Sequence, residues 1–493
     1  MIARPSRSHR EIALLAVVTA IAAAIRFTSL GAQSLWLDEI FEVTAATSGT
    51  LRSAAFFESN HPPLHRLLLA LWIDAFGRSE AAIRALEALI GTATVPALFL
   101  WADRALGRRT ALFAAAVAAA SPYLVTFSQE ARGYALLILL TTVSFACWVR
   151  WRGSAIARVG WTATAILGLH THYFFVFPLL VQAIDVLGRR AAAPSFRSAA
   201  KGFAIAGAAF LPWALYAGQT LPEQGRGYVE SLPNVPITLF RWSVGYGLWI
   251  NDYRRSLLPD AEVTRQALPI AILAAAVFLP PFVTGVRRAW RAREDGGRLP
   301  IALIAVPIAL LLALSPVVEL LHPRYMAFAA PAFVLLVAHG LATARPPLRI
   351  AGLTFVLALS AAGIVAERSD PRAGKERWRE VVARVEREAS VRDVVLLDLH
   401  VTDEHVPFAW DHYATGVIDW RALPRPLPAS KAELEVAVGD LDRYDRIWLV
   451  SSHAEAEGAA YRALLDRLFR RIGGFADETQ WGIWTWTYRV SDD

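Results

Sequence analysis

Five short segments of this chain carry residue types that do chemistry when they are gathered. SLWLDEIFE holds Asp38 and Glu39, and NHPPLH holds His61. SQEARGY holds Gln129, Glu130, Arg132 and Tyr134; HTHYFF holds His170, His172 and Tyr173; HPRYM holds His322, Arg324 and Tyr325. Guanidinium groups grip phosphate oxygens two at a time, which makes Arg132 and Arg324 the candidates for holding a phosphate. Tyrosine and histidine beside them can add hydrogen bonds. A carboxylate can take the proton from an attacking hydroxyl, and Asp38, with Glu39 next to it, is the candidate. Fixed cations stabilise a departing phosphate without a metal, so no cofactor is required. A divalent ion is left open: His61, His170, His172 and the carboxylates offer ligands, but no tight ligand spacing compels one.

Each segment also has a plain structural reading. An adjacent acidic pair is usually a solvated turn or a helix cap. SQEARGY can end one helix and begin the next, with Glu130 offsetting Arg132. HPRY can start a helix, with Pro323 in the first turn. His170 and His172 can anchor an interface, and His61 before two prolines can be a turn residue. What raises the set above its members is where the segments fall relative to the apolar runs.

Of the 493 residues, 55% are hydrophobic and only 19% charged, against about a quarter charged in soluble domains. The mean hydropathy is +0.38. Spanning helices need about 20 apolar residues. Eleven runs qualify: 11–30, 80–103, 108–126, 133–151, 155–170, 172–188, 198–217, 267–287, 299–318, 323–342 and 347–365. The first follows Arg4, Arg7 and Arg10 and reads as an uncleaved signal anchor. Counting from an N-terminus inside, one set of loops collects Arg104, Arg108 and Arg109, then Arg150, Arg152 and Arg158, then Arg189, Arg190, Arg197 and Lys201. Arg287, Arg288, Arg291, Arg293 and Arg298 follow, then Arg345 and Arg349. The short loops on the opposite side hold Arg132, Arg324 and little else basic. This positive-inside bias sets the orientation. All five polar segments then fall at the external ends of their spans, which predicts an outward-facing polar cavity.

The net charge of +7 comes from these orienting loops and does not call for nucleic acid. Cys147 is the sole cysteine, so no intrachain disulfide forms. The 17 Trp suit a long membrane–water boundary. Arg84 and Glu87, spaced i, i+3, are expected to pair; Asp185 and His339, near cytoplasmic ends, are expected to serve packing. Three stretches fall outside: a first loop at 31–79, with an interfacial helix expected at 64–77; a second loop at 218–266; and a soluble tail beyond the last span. In the tail, 394–399 and 445–452 read as strands, WGIWTWTYRV alternates like a third, and KERWREVVARVERE and AYRALLDRLFRRI have helical spacing, which predicts a small α/β domain with a parallel core. No internal repeat is visible.

The order and spacing of SLWLDEIFE, HPPLH, SQEARGYALL, THYFF and HPRYMAFAAPA resemble the bacterial dolichyl-phosphate-mannose-protein-mannosyltransferase-like group. These are GT-C glycosyltransferases, among them the lipid A aminoarabinose transferases. The likeness is strong over about 10–190 and weaker through 320–380. It implies a mostly α, polytopic GT-C core over 1–366 and an external α/β domain over 367–493. It implies a catalytic carboxylate in the first external loop, which maps onto Asp38 with Glu39 as partner, and interfacial helices that match 36–48 and 64–77. It implies a polyprenyl-phosphate sugar donor, with phosphate ligands at Arg132 and Arg324 and Tyr134 and Tyr325 nearby. The tail's opening KERW is similar too, which places Trp378 and Arg379 toward the cavity. The expected enzyme thus sits in a bacterial inner membrane among its lipids and moves a sugar to a lipid, glycan or protein acceptor on the external side. No module of the eukaryotic protein mannosyltransferases is present, and the 218–266 loop matches nothing in the family, so only the donor class is implied. The rival reading is a lipid or glycan transporter or flippase. Such proteins tend to carry repeats and midplane polar sites, whereas this polar set lies at one face.

Overall fold

The structure is a computed structural model, and it describes residues 9–50, 61–188, 193–220, 234–248, 260–291, 296–315, 320–369, 375–398, 406–424, 426–452, 457–475 and 483–490. Of the second external loop, 221–233 and 249–259 lie outside the described residues, as does Asn60 of NHPPLH. The chain divides into two compact units. One comprises 1–30, 45–249 and 259–368; the other comprises 31–44, 250–258 and 369–493.

The first unit is helical. Its described helices are α1 (His9–Phe27), then α2 (Leu37–Ala46), which begins in the second unit, α3 (Leu64–Phe76), α4 (Glu80–Ala105), α5 (Arg108–Ala120), α6 (Pro122–Phe127), α7 (Tyr134–Trp148), α8 (Ala155–Leu169), α9 (Val176–Gly188) and α10 (Ala193–Thr220). After these come α11 (Asn234–Val244), α12 (Asp260–Arg291), α13 (Leu299–Leu314), α14 (Ala330–Thr343) and α15 (Pro346–Ser369). Each of the eleven apolar runs thus carries helix. Five helical stretches are long and apolar enough to cross a membrane by themselves: Glu80–Ala105, Phe196–Gln219, Ala261–Arg291, Tyr325–Thr343 and Pro346–Ser369. Four shorter apolar ones accompany them.

The run 108–126, expected as one helix, is two. Ser121 is extended (φ −62°, ψ 116°), its hydroxyl accepts from Leu124 N at 3.4 Å, and Pro122 opens α6. Proline disfavours helical geometry in the residue before it, so α5 must end there. Its last carbonyls need partners. Arg26 of α1, fully buried, supplies them, donating to Ala118 O and Ala119 O at 3.0 Å each and to Ser128 Oγ at 3.1 Å.

Around α4 pack α1, α5 and α7, and α14 packs on α5 and α12. The α12–α14 crossing is close because both sides present glycine. A Cβ on Gly285 would collide with the Leu336 carbonyl, and one on Gly340 with the Pro281 carbonyl. Small residues that let backbones touch are how membrane helices associate. Several tryptophans are core rather than boundary residues. Trp161 Nε1 donates to Gln182 at 2.8 Å and Trp148 Nε1 to Asp185 at 2.9 Å, and their rings lie 5.3 Å apart. His339 meets Thr110 Oγ1 at 3.0 Å, also a packing role.

The second unit adds helices α16 (Trp378–Glu388), α17 (Val406–Tyr413), α18 (Lys431–Val438) and α19 (Glu457–Leu468) to a five-stranded sheet. Its strands are β1 (Asp393–Asp398), β2 (Asp419–Ala422), β3 (Arg446–Ser452), β4 (Arg470–Phe475) and β5 (Ile483–Arg489), in the order β2-β1-β3-β5-β4. β1 runs parallel to β2 and β3, while β5 is antiparallel to β3 and β4. The parallel core is therefore only half of the sheet. The RRI end of the expected last helix turns out to be the start of β4.

Candidate functional site

In the first unit, the polar motifs sit where helices begin, on turns that other elements fix. The turn 128–133 separates α6 from α7. Gln129 Nε2 donates to Arg26 O at 2.8 Å and Thr28 O at 2.9 Å, and Arg132 N donates to Glu130 O at 2.7 Å. The segment after His61 is joined to the 170s by Leu64 N donating to His170 O at 2.8 Å. HPRYM enters a 3₁₀ turn, Tyr325–Ala329, ahead of α14. It is pinned by the Tyr123 hydroxyl, which donates to Pro323 O at 2.5 Å. The His322 ring accepts the Arg324 N–H through Nδ1 at 3.3 Å.

Four of these motifs converge. The Arg324 guanidinium lies over the Tyr134 ring at 5.9 Å, and Tyr134 and His172 have ring centroids 5.6 Å apart. His61 stands edge-on to His172 at 5.5 Å. Phe174 stacks on Tyr325 at 5.3 Å, and Tyr325 faces His322 at 5.5 Å. Arg132 is near enough to act on both Tyr134 and His172 electrostatically. Arg132, Tyr134, His172 and Glu130 are buried; Arg324, Tyr325, His61 and His322 are half-buried. His170 and Tyr173 turn elsewhere, toward α10. The His170 ring meets Phe210 at 5.4 Å, and the Tyr173 hydroxyl accepts from Trp213 Nε1 at 3.3 Å.

His172 has a defined tautomer. Its Nδ1 accepts the Phe174 N–H at 3.1 Å, so the proton of the neutral ring sits on Nε2. That Nε2 is buried and has no hydrogen-bond partner among the described residues. A buried donor without an acceptor is costly, and it is the kind of group that a ligand oxygen satisfies. The same tautomer disfavours metal ligation by Nε2, which needs that nitrogen's lone pair. Among the described residues, the cluster with metal-ligand spacing is Glu435, Asp440 and Asp442 of the tail, not the histidines. There Lys431 pairs with both Glu435 and Asp442.

Next to this site is a buried pair that the sequence reading missed. His65 Nε2 meets Glu87 Oε1 at 2.8 Å, and Arg84 donates to Leu30 O at 2.9 Å. Glu87's partner thus includes a histidine 22 residues away, which i, i+3 spacing cannot reveal. His65 was in view as the last residue of HPPLH.

In the second unit, Asp38 and Glu39 open α2. Glu39 is fully buried and reaches back to Trp36 N at 3.3 Å, a capping interaction. Asp38 is half-buried. The next amide, Leu37 N, donates to Glu376 Oε2 at 2.9 Å, and the same oxygen accepts from Trp378 Nε1 at 2.7 Å. Ser34 Oγ donates to Glu376 O at 2.8 Å. Arg379 donates to Ala32 O at 3.2 Å and to Gly31 O at 3.4 Å. Trp378 is fully buried, so it braces the segment that carries Asp38 and does not line an opening. Burial pushes the Glu376 carboxyl up to about 8, with the nearby Asp38 charge adding to the rise. Glu376 is the residue the sequence reading passed over between Lys375 and Trp378, although KERW was singled out.

Residues 60–216 match the family model described as dolichyl-phosphate-mannose-protein mannosyltransferase. No curated protein sequence matches the chain. Among solved structures, the chain is similar to ArnT from Cupriavidus metallidurans in the apo state. The identity is 14%, the TM-score is 0.63, and the match covers 97% of this chain and 98% of that one. The same protein bound to undecaprenyl phosphate matches with 15% identity, a TM-score of 0.60 and the same coverage. The apo oligosaccharyltransferase of Archaeoglobus fulgidus matches with 12% identity and a TM-score of 0.54, covering 99% of this chain and 75% of that one. The chain therefore shares the overall fold of these proteins.

Proposed function

We propose that this protein is a membrane glycosyltransferase that moves a sugar from a polyprenyl-phosphate carrier to an acceptor on the external face of a bacterial inner membrane. The observation that carries this reading is the cluster of Arg132, Arg324, Tyr134 and His172. Two guanidinium groups and a buried N–H without a partner among the described residues form a set of donors with the chemistry of a phosphate site. The shared fold with a protein solved with undecaprenyl phosphate supports the carrier class.

The reaction is a single displacement. An acceptor hydroxyl attacks the anomeric carbon, the bond from that carbon to the phosphate oxygen breaks, and the polyprenyl phosphate leaves with both electrons. Asp38 takes the hydroxyl proton as attack proceeds. Glu39 is bound to the Trp36 amide, so Asp38, the more accessible of the two, is the better base. Arg132 and Arg324 neutralise the charge that builds on the phosphate, and the His172 Nε2–H adds a neutral donor. In this reading the donor's lipid lies among the helices and the tail lies outside.

The test is mass spectrometry of envelope glycolipids and glycans from cells with and without the gene. A sugar-bearing species should vanish on deletion and return with the wild-type gene. It should not return with Asp38→Asn or Arg132→Ala proteins made at equal level. A glycan profile unchanged by deletion would overturn the reading.

A further inference from the structure

Between α8 and α10 of the first unit runs a groove of about 490 Å³. Arg158, Thr162 and Ile166 line it at successive turns of α8, and Lys201 and Ile205 line it on α10. Arg158 lies two turns before Ile166 on one wall and Lys201 one turn before Ile205 on the other, so each wall changes from cationic to apolar in the same direction. By the loop charges, both helices begin at the cytoplasmic surface. Both cations then lie at headgroup level, and the apolar walls run about 12 Å into the bilayer by Ile166. Arg158 is oriented by a bond from Nη1 to Trp151 O at 3.3 Å, which leaves its other N–H groups for a ligand. Among the described residues, neither Arg158 nor Lys201 pairs with a carboxylate.

We propose that this groove is a binding site for one anionic glycerophospholipid. The phosphate would sit between Arg158 and Lys201, and one acyl chain would lie along Val159, Ile166 and Ile205. A cationic end continuous with an apolar furrow complements a molecule with a negative head and a hydrocarbon tail. A zwitterionic lipid offers the same tail without net charge. The site is separate from the Arg132–Arg324 cluster and does not depend on the proposed transfer reaction.

The experiment uses native mass spectrometry of the purified full-length protein, titrated with phosphatidylglycerol or phosphatidylcholine of identical chains. Wild type should retain one phosphatidylglycerol, about thirty-fold more strongly than phosphatidylcholine. The Arg158→Gln/Lys201→Gln variant should bring the two lipids level. The Arg158→Glu/Lys201→Glu variant should lose phosphatidylglycerol and gain retention of a trimethylammonium diacyl lipid, a gain that misfolding cannot imitate. Equal retention of both phospholipids by wild type would overturn the proposal. So would unchanged phosphatidylglycerol retention in the neutral variant, or displacement of the bound lipid by undecaprenyl phosphate at equimolar concentration.

Discussion

At the scale of single residues, two groups carry sharp expectations. The first is His172. Its Nδ1 is occupied by the Phe174 N–H, so Nε2 can only donate. Hydrogen bonds to charged groups contribute about 1.5–3 kcal/mol. His172→Leu should therefore weaken binding of undecaprenyl phosphate by about ten-fold or more. His172→Gln, which keeps a donor, should recover part of the loss, and undecaprenol should be indifferent to both changes. Calorimetry in detergent reads all three, and equal binding by wild type and His172→Leu would remove His172 from the phosphate site. The second is Glu376. Its folded carboxyl titrates at about 8 because it is buried, against an ordinary value of 4.5. Between those values the folded chain holds a proton that the unfolded chain has lost. The contribution is full below about pH 4.5 and falls away as pH rises to about 8, by at most about 1.4 kcal/mol per pH unit. Glu376→Gln keeps an acceptor for Leu37 N and Trp378 Nε1 without the titration. Its melting temperature should thus fall less than that of wild type between pH 5.5 and 8. Parallel pH profiles for the two proteins would contradict this assignment.

At the scale of elements, what the sequence made legible was periodicity and punctuation. All eleven apolar runs became helix, and the strands at 394–399 and 445–452 are β1 and β3 to within a residue. The losses have physical causes. Ser121-Pro122 splits a helix, but hydropathy does not register the break, and Arg26, which satisfies the exposed carbonyls, is about 92 residues away along the chain. β2 has only four residues and no buried face, and β4 contains Gly473 and Gly474, so neither shows the alternation that marks a strand. In the candidate site, motif membership was legible. The division of labour was not, because it depends on contacts such as His170 with Phe210 and Glu39 with Trp36. The α12–α14 crossing gives a stability test at this scale. Gly340→Leu would drive a side chain into the Pro281 carbonyl. Overpacking of this kind costs about 1–3 kcal/mol. The variant should melt several degrees lower in detergent, whereas Gly207→Leu, with open space at its Cβ position, should melt like wild type. Equal losses at the two positions would mean that the crossing is not as tight as drawn.

At the scale of the whole molecule, everything functional rests on which side of the membrane each segment faces. The chain's net charge of +7 is not spread evenly, since the arginine-rich loops lie opposite short loops that hold little beyond Arg132 and Arg324. Lys and Arg resist translocation, so the proposed orientation puts the rich loops inside. If the eleven apolar runs each cross, as the sequence reading expects, the tail falls outside, on the side proposed for the segments that hold Asp38, Arg132 and Arg324. Because Cys147 is the sole cysteine, a Cys147→Ala background makes the prediction direct to test. Val391 of the tail is 73% exposed, and Arg345, in the turn between α14 and α15, is also exposed. A cysteine at Val391 should react with a membrane-impermeant maleimide in intact spheroplasts, while one at Arg345 should react only after permeabilisation. Reversal of that pattern would place the proposed base and phosphate site on the cytoplasmic face. A carrier loaded for use outside the cell would then be out of reach, and the direction of transfer proposed here would be wrong even if the chemistry were right.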